Sequence, residues 1–195
     1  MDLQPLAMEN RFVRLEPIDE IHREGLRAAC EADAVIWTEL YPLSWAGEHF
    51  DPQWDGLTAE RAAGRMIAFA VIVDGDVVGL TTFYAIDPVN AVVEIGSTYY
   101  RPDQRGGATN PAAKRLMMAA AFDAGARRVV YRVDALNARS RAAVLKLGAV
   151  EEALLRQDRI TWTGRIRDTA LFSILADEWP AVRRRLDARL AAFMA

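Results

Sequence analysis

The stretch VVEIGSTYYRPDQRGGATN, running from Val92 to Asn110, decides the fold. Its first half, Val92 to Tyr100, is apolar, β-branched and aromatic, which is the composition of a buried strand. Arg101, Pro102 and Asp103 break that strand, and Arg105 through Asn110 form a turn of small residues. PAAKRLMMAAAFDAG, from Pro111 to Gly125, then has the composition and spacing of a helix. Asn110 is placed to cap that helix, and Pro111 suits its first position. Strand, glycine turn and helix together aim free backbone N–H groups and a helix dipole at one point, an arrangement that holds a phosphate. Gly-Gly turns also join strands to helices without binding anything, so the cradle stands as a candidate. No lysine followed by Ser or Thr closes the turn, which excludes a nucleotide-triphosphate loop. The GxGxxG spacing of a dinucleotide fold is missing too.

Outward from this stretch, the 195 residues suit one domain, expected over residues 1–195, with length enough for a sizeable core. An apolar content of 52% and a mean hydropathy of -0.01 describe a soluble globular chain. No apolar run is long enough to span a membrane, and MDLQPLAMEN does not resemble a signal peptide, so the cytoplasm is the expected location. The net charge of -3 supplies no basic field for nucleic acid. The single cysteine, Cys30, lies in a helical pattern and reads as a buried thiol. With two histidines far apart, His22 and His49, no metal is expected.

Coarse patterning completes the order. Arg11 to Pro17 reads as a strand, followed by a helix from Asp19 to about Ala32. An irregular aromatic segment extends to about Gly56, and a short helix covers Thr58 to Gly64. Met66–Val73 and Val77–Ile86 read as a hairpin around Asp74-Gly75. Arg128–Asp134 is a strand, and a helix runs from Asn137 to Gly148. Ala149–Trp162 and Arg167–Leu175 read as two strands around Thr163-Gly164. Asp177 is placed to cap a last helix whose Arg183, Arg184, Arg185 and Arg189 form a solvated face. This is a mixed α/β pattern, antiparallel strands followed by a strand-helix-strand crossover.

VVEIGSTYY, RGGATN, RVVYRVDALN and NARSRAAVLKLGA together resemble a GNAT-type acyl-CoA N-acyltransferase, and more narrowly the branch of the bacterial ribosomal-protein N-terminal acetyltransferases. The characteristic part covers about Ala91 to Ala149. In the family's Arg/Gln-x-x-Gly-x-Gly/Ala signature, Arg105 matches, Ala108 stands where Gly is usual, and Asn110 stands where Gly or Ala is usual. Asn137, Ser140, Lys146 and Leu147-Gly148-Ala149 fall at the spacing of this branch. The resemblance implies a mostly antiparallel, twisted sheet of about seven strands with a central splayed parallel pair, flanked by helices. It implies acetyl-CoA as co-substrate, with succinyl-CoA an open alternative, and an amine acceptor.

On that basis the pyrophosphate falls to Arg105, Gly106, Gly107, Ala108, Thr109 and Asn110. The pantetheine arm falls to the strand edge at Thr98, Tyr99 and Tyr100, and to Asn137. Arg105 also reads as an ordinary loop arginine, and Asn137 as a simple helix cap. Glu94, inside an apolar strand, is the candidate base, and its alternative is a salt bridge to a neighbouring strand. Many relatives use a tyrosine on the helix after Asn137 to protonate the leaving thiolate. Val144 holds that position here, which leaves Ser140 as the hydroxyl for the sulfur.

Between Ala28 and Glu60 there is no Lys or Arg, yet Glu31, Asp33, Glu39, Glu48, Asp51, Asp55 and Glu60 are interleaved with aromatic residues. Trp37, Glu39, Trp45 and Trp54, with Glu94, are therefore candidates for an acceptor wall that attracts a cationic amine, with Trp162 across from them. The acceptor is left open among a protein N-terminus, a polyamine, an aminoglycoside and a small amino compound, and a homodimer is open as well. Neither nucleic acid nor membrane is expected as a partner. Two other classes compete: a CoA-binding module without chemistry, and a partner-binding domain that uses the acidic aromatic segment 37–55.

Overall fold

The computed structural model describes residues 1–194. Its elements in chain order are β1 (Met8–Glu9), β2 (Arg14–Pro17), α1 (Arg23–Glu31), α2 (Val35–Leu40), α3 (Phe50–Ala62), β3 (Met66–Val73), β4 (Asp76–Asp87), β5 (Val92–Tyr100), α4 (Thr109–Asp123), β6 (Arg128–Asp134), α5 (Ala138–Leu147), β7 (Val150–Ile160), β8 (Ile166–Leu175) and α6 (Trp179–Ala191). One sheet holds all eight strands in the order β1-β2-β3-β4-β5-β6-β8-β7. Among the described residues only β5 and β6 pair in parallel. A parallel pair needs a long crossover, and α4 provides it. The strand beyond the seven expected is the two-residue β1 at one edge.

Alternation along the strands puts a core on each face of the sheet. Phe69, Val71, Val93 and Ile95 face α4, α5 and α6, where they meet Met117, Val144, Val182 and Leu186. Ala68, Ala70, Leu80 and Tyr99 face the other way, against Leu26 and Cys30 of α1, Trp37 of α2, and Phe50, Trp54 and Leu57 of α3.

Several elements differ from the sequence expectation, each for a local reason. The strand expected from Arg11 is β2 and begins at Arg14, because the Asn10 side chain accepts the N–H groups of Phe12 and Val13 and turns the chain there. The segment read as irregular up to Gly56 holds α2 and the start of α3. Pro52 is tolerated in the first turn of α3, where its missing N–H has no partner to lose. Phe50, Trp54 and Leu57 give that helix one buried stripe. The last helix starts at Trp179 without Asp177 as its cap, while Val182, Leu186 and Leu190 bury the face opposite the exposed Arg183, Arg184 and Arg185.

Two irregularities shape the middle of the sheet. The β5–β6 register runs Val92↔Arg128, Val93↔Val129 and Glu94↔Val130, and beyond it the strands part. On the other side of β5, Leu80 pairs with Tyr99 and Thr82 with Gly96, so Thr81 faces both Ser97 and Thr98. That is a bulge, and Ser97 carries it at φ 44°.

Candidate active site

The parted strands enclose a cavity of 330 Å³. Ile95 to Thr98 and Tyr100 line it from β5, Tyr131 to Asp134 from β6, and Asn137, Ser140 and Val144 from α5 and its cap. At its mouth stands the glycine turn. Arg105 donates from Nε to the Tyr100 carbonyl at 2.7 Å, pairs with Asp33, and lies over the Tyr99 ring at 5.3 Å. Gly106 follows at φ +82°, a conformation glycine adopts without strain.

The helix after the turn begins at Thr109, with Ala108 at the cap position and no side chain capping it. Asn110 and Pro111 therefore lie within its first turn, two positions further in than the sequence spacing predicts. The Thr109 hydroxyl is engaged by Gln104 at 2.9 Å. Uncapped first-turn N–H groups and the helix dipole suit an anion. Among the predicted cradle residues, Arg105, Gly106 and Asn110 line the cavity, whereas Gly107, Ala108 and Thr109 stand outside its wall.

Of the strand residues, Thr98 and Tyr100 line the cavity, whereas the Tyr99 side chain turns away from it. Its ring stacks on Trp37 at 4.5 Å and its hydroxyl donates to the Ala29 carbonyl at 2.8 Å. Asn137 caps α5 by accepting the Ser140 N–H at 2.9 Å, and its NH₂ group stays available as a donor. Ser140 lies half-buried on the cavity wall beside Val144.

Glu94 is 2% exposed and sits behind the wall. The Tyr84 hydroxyl donates to its Oε1, and Arg132 Nη1 donates to its Oε2 at 3.1 Å. Both partners line the cavity. Burial raises the carboxyl's pKa, while Tyr84 and Arg132 oppose that rise without cancelling it. The catalytic candidate and its salt-bridge alternative thus coexist in one geometry. Any proton that Glu94 takes from the cavity passes through Tyr84 or a water.

The acidic aromatic wall requires correction. Trp37, Trp45 and Trp54 are 1%, 8% and 2% exposed and belong to the core beneath α1 and α3. Glu39 is exposed to solvent away from the cavity. Large aromatic rings gain more from burial than a surface wall offers, and the helical spacing of α2 and α3 delivers them to the core. The wall on this side carries arginines instead. Arg132, Arg159 and Arg167 line it, with Asp134 beneath them accepting from Arg165 and lying 3.8 Å from Arg167 Nε. Burial lowers the Arg167 pKa from its usual value. Trp162 closes no wall. Its indole donates to the Trp37 carbonyl at 2.9 Å and its backbone N–H to the Pro42 carbonyl at 3.0 Å, so the β7–β8 tip is clasped to α2 and the loop after it.

Residues 13–150 match the model of the acetyltransferase (GNAT) domain. The chain belongs to the GNAT family of acetyltransferases. This GNAT chain is similar to a GCN5-related N-acetyltransferase from Brucella melitensis, with 34% identity over 96% of this chain and 86% of that one and a TM-score of 0.88. A putative acetyltransferase from T. thermophilus is 31% identical over 97% and 100% of the two chains, with a TM-score of 0.87. Mycobacterium smegmatis RimJ, solved in complex with CoA-disulfide, is 27% identical over 91% and 88%, with a TM-score of 0.79, in keeping with the branch the sequence resembles. No curated relative matches.

Four residues of this GNAT cavity carry no motif: Tyr84, Lys114, Arg132 and Arg167. Tyr84 and Arg132 become recognisable only through the register that sets them beside Glu94. Lys114 did leave a signal. It shares the helix face of Met117, Met118 and Ala121, where a lysine interrupts an otherwise apolar stripe.

Proposed function

We propose that the chain, as a single domain, transfers an acyl group from acyl-CoA, acetyl-CoA first among them, to an amine in a ternary complex. The observation that carries this reading is the parting of β5 from β6 after Glu94, with the uncapped start of α4 at one end of the gap. The pyrophosphate rests on the first-turn N–H groups of α4 and on Gly106, and the pantetheine arm runs along Thr98 to Tyr100 with Asn137 donating to it. The bulge at Ser97 and Thr98 leaves strand N–H groups free to polarise the thioester carbonyl.

The neutral amine attacks the carbonyl carbon, a C–N bond forms, and the C–S bond breaks as the thiolate leaves. The amine's surplus proton passes to Tyr84 as Tyr84 hands its own to Glu94, whose raised pKa suits it to receive one. Ser140 lies on the wall to donate to the leaving sulfur. The arginines on the acceptor side favour an amine on a body of low positive charge and disfavour polyamines. The rival reading of segment 37–55 as a partner surface lacks support, since its tryptophans are buried.

Calorimetric titration with acetyl-CoA tests the reading, repeated on Asn137→Ala and Gly107→Pro. Micromolar binding weakened in both variants supports it, and acylated product from an amine screen completes it. Absence of binding to any acyl-CoA overturns it.

A further inference from the structure

Lys114, on the second turn of α4, is 5% exposed and lines the cavity. Its Nζ donates to the Thr81 hydroxyl at 2.8 Å and to the Thr98 hydroxyl at 2.6 Å, while Thr98 also donates to the Gly96 carbonyl at 3.2 Å. An ammonium has three donors, so one is left over. Among the described residues no carboxylate pairs with it. Burial alone pulls its pKa down to about 7. Two more donors line the same cavity. The Tyr100 and Tyr131 hydroxyls, on residues 8% and 3% exposed, have no hydrogen-bond partner among the described residues. Their side chains stand on the α4 face of the two parted strands, the face on which Lys114 approaches the Ser97–Thr98 bulge.

An acetyl methyl offers nothing to such a set. A lysine with a spare donor and two tyrosine hydroxyls without partners, all lining one cavity, call for a ligand that brings several lone pairs and a negative charge. A carboxylate at the far end of the acyl group has both, and the bulge is where the thioester carbonyl lies in the proposed complex. We infer that the acyl end of the slot takes a dicarboxylic acyl group of the succinyl class, its free carboxylate held by Lys114 and Tyr131. This rests on the acyl-CoA reading above and names its acyl donor.

The test is calorimetry on the full chain with CoA, acetyl-CoA, butyryl-CoA and succinyl-CoA. Succinyl-CoA should bind roughly ten-fold or more tighter than butyryl-CoA, which has the same carbon count without the carboxylate. Lys114→Met and Tyr131→Phe should erase that advantage and leave acetyl-CoA affinity within about three-fold. Tyr131→Phe removes only an unpaired oxygen, so it keeps the test valid where the lysine variant fails to fold. Succinyl-CoA binding at pH 8 should also take up close to one proton, measured in buffers of different ionisation enthalpy, because the carboxylate restores the charge on Lys114. Acetyl-CoA should take up none. Acetyl-CoA binding with no succinyl advantage overturns this inference and leaves the acyltransferase reading standing. An equal loss towards CoA, acetyl-CoA and succinyl-CoA in the variants places the donors on the shared pantetheine arm and overturns it as well. Failure of every thioester to bind overturns both.

Discussion

Among the buried ionisable side chains at the slot, Glu94 and Lys114 are kept in different company. Glu94 has a hydroxyl and a guanidinium beside it, whereas Lys114 has hydroxyls alone. For Glu94 the consequence is kinetic. Tyr84→Phe breaks the proton path and should lower kcat by about 10²-fold, the low end of general base contributions, with KM for acyl-CoA nearly unchanged. In the native protein the acid limb of kcat/KM should titrate above the ordinary carboxyl value of 4.5, and Glu94→Gln should abolish that limb. A pH–rate profile that is the same in Glu94→Gln and the native protein would remove Glu94 from the reaction. For Lys114 the consequence is thermodynamic. Below about pH 7 the lysine is charged in both folded and unfolded states, and the full cost of its burial is felt. As pH rises from about 7 towards 10.5, the unfolded chain holds a proton that the folded chain has lost, so stability rises. Lys114→Met should therefore melt above the native protein at pH 6, with the gap shrinking by pH 9, and a gap constant with pH would contradict the burial.

Among the elements, β4 and β5 approach so closely that one position admits no side chain. A Cβ on Gly79 would lie 2.0 Å from the Tyr99 carbonyl oxygen, next to the bulge. Gly79→Ala should cost about 3 kcal/mol in denaturant unfolding. Gly107→Ala, with open space around it and no positive φ, should stay within about 0.5 kcal/mol. The elements also show what a sequence can and cannot convey. β3, β5 and β6 span the residues their patterning predicts, because buried strands must be apolar throughout and turn residues bound them. α2 and the first turns of α3 are not legible in the sequence, since α2 is only one to two turns long and the first turns of α3 hold Pro52 and Gly56, residues of weak helix propensity. The glycine turn was legible as a cradle because its chemistry is local. The Tyr84–Glu94–Arg132 contact was hidden because it depends on the register of three strands.

At the scale of the molecule, the sheet divides the work between its faces. α4, α5 and α6 cover the face that carries the glycine turn and Lys114, and α1 to α3 cover the other with the tryptophans packed beneath them. Trp37→Ala should cost about 3–5 kcal/mol of stability. At temperatures where the variant stays folded, its acceptor KM should hold. A selective rise in KM at unchanged stability would return that residue to the acceptor wall.

The clasp of Trp162 onto Trp37 joins positions 125 residues apart in the chain. Contacts of such long separation form late, after loop closure has been met by other contacts. The glycine turn with its strand and helix is local and can form early, while the rim above the slot waits for the last hairpin to dock. Recovered turnover would therefore be the final signal in refolding, trailing the return of far-ultraviolet circular dichroism. Trp162→Ala should speed unfolding while leaving the folding rate nearly untouched, as expected of a contact absent from the transition state.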